Sequence, residues 1–184
     1  MNIEALFDLL KAAHSECGHR DYVVIGSLSI LGMSEVSSIP DGMTMSIDAD
    51  CYTLADPPRI FDLQRSLGEG SAYHGLNGIY LNPVSPKLPT LPPGWELRLI
   101  RIERDGVCAC FLEPNDAAVS KLARAEPRDL RWVRAGVEAG LVSLPAVRLR
   151  MRSTSFFDAP EEATALAAVE QMGRSRFRGR TGRP

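Results

Sequence analysis

A change of hydrophobic period at Pro114 constrains this chain more than any other feature. Before it, apolar residues fall in short runs stopped by Gly, Pro or Asn; after it, they recur at helical spacing. Tyr22-Val23-Val24-Ile25 is β-branched and too brief for a helix, so it reads as a buried strand ended by Gly26-Ser27. Stretches 43–52, 79–82, 97–103 and 107–112 read as four more strands, with Pro40-Asp41-Gly42 and Arg104-Asp105-Gly106 as turns. Ile3, Leu6, Phe7, Leu10, Ala13 and Cys17 share one face of an opening helix that Gly18 closes. A short helix is expected from Leu28. Another runs from Asp56, as N-cap, to Gly68, and the glycine-rich stretch 70–78 reads as a loop. Helices at 115–125, 128–139, 145–151 and 161–172 make up the second half. The expected fold class is α/β (α+β): a small mixed β-sheet with flanking helices and a C-terminal helical extension. The expected domains are an α/β core over 1–113, a helical part over 114–172 packed on it, and a disordered arginine-rich tail over 173–184.

At 184 residues and a net charge of −2 the chain has the length of one ordinary domain. No run approaches the ~18 apolar residues that cross a bilayer. Met1-Asn2-Ile3-Glu4 lacks the basic start of a secretory signal, so a cytoplasmic place without membrane partners is expected. Four cysteines in a chain of this size point to reduced thiols rather than a disulfide scaffold. Charge is unevenly spread. Arg174, Arg176, Arg178, Arg180 and Arg183 hold five of the 21 basic residues, which leaves the rest acidic and disfavours a DNA-binding surface. The tail itself suits electrostatic attachment to nucleic acid, or else is a solvated terminus.

Asp48 and Asp50 carry the sharpest chemical signal. On a strand, residues two apart project from one face with Cα atoms about 6.5–7 Å apart. Two carboxylates held there repel, and a divalent cation relieves the repulsion; hard oxygen donors favour Mg2+. A strand edge facing water satisfies the same spacing. Gly26-Ser27 lies at a strand-to-helix turn upstream, where glycine lets a phosphate approach the backbone and the serine hydroxyl adds a donor. An ordinary turn glycine would look alike. Cys108 and Cys110 share a strand face and read as small core residues, with no second Cys or His pair at ligand spacing. His14 reads as a boundary residue of the first helix. His74, in the glycine-rich loop, either meets substrate or does nothing specific. Cys17 and His19 lack the geometry of a nucleophile pair, and Trp95 reads as a packing anchor.

Taken together, Val23-Val24-Ile25-Gly26-Ser27 followed by Ser46-Ile47-Asp48-Ala49-Asp50 resembles the nucleotidyltransferase superfamily of DNA polymerase β type. The resemblance extends to its DUF6036 group, related to the AbiEii-type toxins of toxin–antitoxin systems. It is carried by Leu67-Gly68-Glu69-Gly70-Ser71, Leu91-Pro92-Pro93-Gly94-Trp95, Ser120-Lys121-Leu122 and Arg128-Asp129, in order over about 18–140. It implies that Gly26 and Ser27 contact the triphosphate of an NTP and that Asp48 and Asp50 ligate Mg2+. Lys121 would neutralise charge on the leaving pyrophosphate, with Asp129 orienting it or approaching the metal. The bland alternatives are a solvated helix lysine and a first-turn acid. The acceptor, by analogy with the toxins, would be an RNA end, with a protein side chain or a small molecule equally open to the sequence, and the partner a cognate antitoxin. Two departures stand out. Glu126-Pro127 precedes Arg128-Asp129 where the group has a basic-acidic lead-in. Asn82 stands where a third acid is expected, and an amide carries no charge and cannot act as a general base. Catalysis with two acids and a catalytically degenerate nucleotide- or partner-binding module are therefore both open.

Overall fold

The computed structural model describes residues 1–34 and 37–180, with side chains only as far as Arg174. The chain divides into two compact units, one of Met1–Pro89 with Trp95–Glu113 and one of Thr90–Gly94 with the residues from Pro114 onward.

The first unit opens on α1 (Ile3–Cys17). Asn2 Oδ1 accepts from the Ala5 amide, and Gly18, at φ 75°, closes the helix with its N–H on the His14 carbonyl. Ile3, Leu6, Phe7, Leu9, Leu10 and Ala13 are buried, while Cys17 at the end of the expected stripe is only half-buried. Five strands follow: β1 (Asp21–Val24), β2 (Asp48–Thr53), β3 (Tyr80–Pro83), β4 (Ile100–Arg104) and β5 (Val107–Phe111). They form one mixed sheet in the order β3-β2-β1-β5-β4. The β1–β5 and β2–β3 pairs are parallel; the β1–β2 and β4–β5 pairs are antiparallel. The strand expected over 107–112 is thus internal, and the β4–β5 turn has positive φ at both Asp105 and Gly106, as a tight hairpin requires. α1 packs against β5; the Tyr22 hydroxyl lies 3.4 Å from Cys17 Sγ and the Arg104 guanidinium 5.1 Å over the Phe7 ring.

Several boundaries differ from the sequence reading, each for a local reason. The second strand begins at Asp48, not Met43, because the N-terminal ammonium donates to the carbonyls of Thr44 and Ser46 at 2.7 and 2.9 Å. Those acceptors are spent, and Asp41–Met43 curls into a 3-10 turn. The stretch 70–78 is not a plain loop but contains the two-turn helix α3 (Ala72–Asn77), which buries none of its residues and therefore shows no apolar period. Its caps hold it: Ser71 Oγ accepts from the His74 amide, and Gly78 closes it at φ 68°. After Asp56 the chain forms a 3-10 helix over Pro57–Leu63 before the single α-turn α2 (Gln64–Leu67). Pro57 and Pro58 have no N–H for the Asp56 carboxylate to cap, and Arg59 bonds the Asp56 carbonyl instead. Trp95–Arg98 is likewise a 3-10 turn, so the fourth strand starts only at Ile100.

The second unit consists of α4 (Pro114–Arg124), α5 (Pro127–Glu138), α6 (Leu144–Met151) and α7 (Ala159–Arg180), with α4 packed by the other three. α7 is drawn to Arg180, eight residues past the expected helix end at Met172. Arginine is a good helix former and an existing helix extends at little cost. The rest of the expected tail, 181–184, lies outside the described residues, as do the side chains from Ser175 on. α4 buries two charges of opposite sign. Asp116, fully buried, accepts from Arg150 at 2.8 Å and ties α4 to α6. Lys121, 3% exposed, donates to Asp129 at 3.1 Å and lies 4.9 Å from the Trp132 ring, tying α4 to α5.

Arg124 also reaches Asp129, from Nε at 3.2 Å and Nη2 at 2.9 Å. The Asp129 carboxylate is 1% exposed, the Arg124 side chain 45%. Asp129→Ala therefore takes from the buried Lys121 its carboxylate partner on α5, whereas Arg124 can turn to water. We expect a loss of about 3–5 kcal/mol in urea unfolding. Lys121→Met leaves Asp129 its arginine and should cost less, about 1–3 kcal/mol. Equal losses for the two would show that the pair does not govern the packing of α4 and α5.

Candidate active site

β2 supplies both aspartates. Its alternation sends Ala49 and Cys51 into the core, fully buried, and leaves Asp48 and Asp50 half-buried on the opposite face. The parallel neighbour β3 sets Tyr80 beside Asp48 and Asn82 beside Asp50. On the other side, the Ile25 amide continues the antiparallel ladder by donating to the Asp50 carbonyl at 2.9 Å. The next residue, Gly26, then meets the Asp50 side chain. A Cβ placed on Gly26 would lie 2.2 Å from Asp50 Oδ2, and the residue also sits at φ 68°. Sterics and backbone conformation each demand glycine here. Ser27 opens the 3-10 helix Ser27–Met33, which replaces the short helix expected from Leu28; Ser29 Oγ donates to the Gly26 carbonyl at 2.8 Å and steadies the bend.

A neutral donor reaches each of the two carboxylates. Ser46 Oγ bonds Asp48 Oδ1. Asn82 Nδ2 donates to Asp50 Oδ1 at 2.7 Å. Asn82 thus occupies the neighbouring-strand position where a third acid is expected, and there it supports Asp50 without adding charge. Two strand-spaced carboxylates in a half-buried site repel by about 2–3 kcal/mol at an effective dielectric near 20. A cation held between them reverses that sign. The Tyr80 hydroxyl registers the same field: its pKa is pushed up by burial and, beyond that, by the charges of Asp48, Glu69 and Asp50.

Tyr80 and Glu69 were not among the expected site residues. Tyr80 was legible in principle, because it lies two residues before Asn82 on the same strand face. Glu69 comes near through the turn before α3, which no spacing rule foretells. His74 packs its ring 4.8 Å from that of Tyr80, and its Nδ1 accepts from the Gly70 amide at 3.0 Å, which leaves the neutral ring's proton on Nε2. The histidine props the tyrosine and the Gly70 turn.

The donor set formed by Asp48 and Asp50 consists of hard oxygens and fits a single divalent cation such as Mg2+. Asn82 would have to present its carbonyl oxygen to join, giving up its bond to Asp50. Lys121 and Asp129 belong to the helical unit, where they bond each other. Lys121 is buried rather than a solvated helix lysine, and Asp129 accepts a hydrogen bond from it. Asp116, on the same helix as Lys121, accepts from Arg150.

The Gly26–Asp50 approach yields a measurable coupling. Gly26→Ala should cost about 1–3 kcal/mol of stability through positive φ and the clash with Asp50. In an Asp50→Ala background the carboxylate is gone and the same change should cost at least 0.5 kcal/mol less, on the order expected for contacting residues. Strict additivity in denaturant unfolding would mean that the two residues do not touch.

No curated protein and no solved structure matches this chain. A family model does, that of a nucleotidyltransferase of unknown function (DUF6036), over residues 3–176. That match runs through both units and beyond the stretch 18–140 on which the resemblance rested. With a glycine bend seated on the second of two aspartates, and a family match over nearly the whole chain, the protein belongs to the DUF6036 nucleotidyltransferase family.

Proposed function

We propose that this protein is a Mg2+-dependent nucleotidyltransferase that moves a nucleoside monophosphate from an NTP to an acceptor hydroxyl. The observation that carries the reading is the approach of Gly26 to Asp50, which sets a bend suited to phosphate against a pair of carboxylates suited to a metal. Asp48 and Asp50 would hold the cation. Bound there, Mg2+ would supply charge neutralisation and polarise the phosphoryl oxygens. Gly26 admits the triphosphate close to the backbone, and Ser27 donates a hydrogen bond to it. In the transfer, a bond forms between the acceptor oxygen and the α-phosphorus while the α–β anhydride breaks and pyrophosphate leaves. The hydroxyl proton goes to Asp48, Asp50 or water, because the amide of Asn82 cannot take it. Lys121, oriented by Asp129, would offset charge on the departing pyrophosphate. The likeness to AbiEii-type toxins makes an RNA end the favoured acceptor and a cognate antitoxin the favoured partner, and the arginines from Arg174 onward suit an RNA backbone.

The Asn82–Asp50 hydrogen bond favours a second reading, in which the site binds nucleotide but has lost transfer. One experiment separates the two. Purified protein is incubated with radiolabelled NTPs, Mg2+ and total RNA. A transferase labels RNA, and Asp48→Ala or Asp50→Ala lowers the yield at least 100-fold, since each removes a charged metal ligand. Should the wild type bind NTP yet label nothing, the degenerate reading stands. Asn82→Asp then tests the cause: an added acid at this position should raise or restore transfer by about 100-fold, the low end for general-base catalysis. Unchanged transfer in Asn82→Asp would show that the third position is irrelevant here.

A further inference from the structure

The sheet face that bears Asp48 and Asp50 continues across β1 and β5. Tyr52 pairs with Val23 and Val23 with Cys110, and one pleat further Asp21 pairs with Cys108. At this far end, where Asp21 lies about 16 Å along the strand from the Gly26 bend, three side chains converge that the proposed transfer does not use. One ligand atom from each of Asp21, Cys108 and Cys110 lies within 4.8 Å of the other two. The two sulfurs are 3.7 Å apart.

That separation discriminates between the roles open to a thiol pair. A disulfide needs Cβ atoms about 3.8 Å apart, and residues two apart on one strand face hold theirs about 6–7 Å apart. Two thiolates on a tetrahedral zinc ion, each at about 2.3 Å, stand about 3.8 Å apart. The observed spacing meets this requirement without a change of backbone. Asp21 provides a third donor on the same side. Its carboxylate lies 3.8 Å from Arg101 Nη1, with side chains 48% and 57% exposed, a weak contact at such exposure. Two thiolates and a carboxylate around Zn2+ leave one net negative charge, which Arg101 is placed to offset. A cleft of about 410 Å³, lined by Asp21, Arg101, Glu103 and Cys108 among others, gives an ion and a fourth, exchangeable ligand their access.

We propose that Asp21, Cys108 and Cys110 form a binding site for a thiophilic divalent cation, Zn2+ above all, with its fourth position open to the cleft. Sulfur donors set it apart from the oxygen-only pair at Asp48 and Asp50, which suits Mg2+. The two sites share a sheet face but no residue.

Co2+ serves as the probe for Zn2+ in the full chain, purified metal-free with a non-thiol reductant. Titration should give sulfur-to-cobalt charge-transfer absorption and the intense visible bands of a tetrahedral ion, saturating at one equivalent and erased by one equivalent of Zn2+. Cys108→Ser, at the half-buried cysteine, should abolish the charge-transfer band while circular dichroism remains that of the wild type. Asp21→Asn should weaken Co2+ binding at least tenfold. Asp48→Ala and Asp50→Ala should leave the spectrum intact, so that loss of transfer and loss of the thiol site are told apart. No charge-transfer band, a band that survives Cys108→Ser, or one that vanishes with Asp48→Ala would each overturn the assignment.

Discussion

The contact between the Asp50 carboxylate and the Cα of Gly26 is the constraint on which the α/β unit turns. It exists because Ile25 extends the β1–β2 ladder by one hydrogen bond onto the Asp50 carbonyl, so the two strands are still side by side where the first one ends. Any residue with a Cβ at position 26 would drive the carboxylate away or break that last rung. The positive φ of the same residue redirects the chain into the Ser27–Met33 turn, whose Gly32 packs on Phe111. One glycine thereby ends a strand, starts a turn and leaves room for an acid.

The helical unit follows another logic. Its central helix buries an acid and a base, and each finds a partner on a different neighbour: Asp116 on α6, Lys121 on α5. Desolvating such charges costs several kcal/mol per ion, and pairing returns that energy only when the geometry is good. The two pairs fix which faces of α4 meet α5 and α6. Asp129 is the hub, because it takes bonds from Lys121 and Arg124 and its side chain is all but closed to water.

Much of this was legible in the residues. The i, i+2 aspartates face one way because strand geometry leaves no alternative, and the opening helix announces its C-terminal end through Gly18. The hairpin at Asp105-Gly106 is equally local. Other features escaped for definable reasons. α3 is held by Ser71 and Gly78 and buries nothing, so a search for apolar periodicity passes over it. The start of β2 was misjudged because the N-terminal ammonium, more than forty residues away in sequence, occupies the carbonyls of Thr44 and Ser46. Lys121 sits in a helix whose charged positions look solvent-facing until Asp129 and Trp132 arrive from the next helix.

Residue types and spacing alone determined the class of fold, the family, the two aspartates on one face and the need for glycine at a bend, because each depends on backbone geometry within a few residues. Tertiary structure alone decided that this glycine meets Asp50, that Asn82 bonds the same carboxylate, and that Asp21 joins Cys108 and Cys110. Those neighbours are set by strand order and register. Register is chosen by how the whole core buries its apolar surface, and no single stretch of chain contains that information.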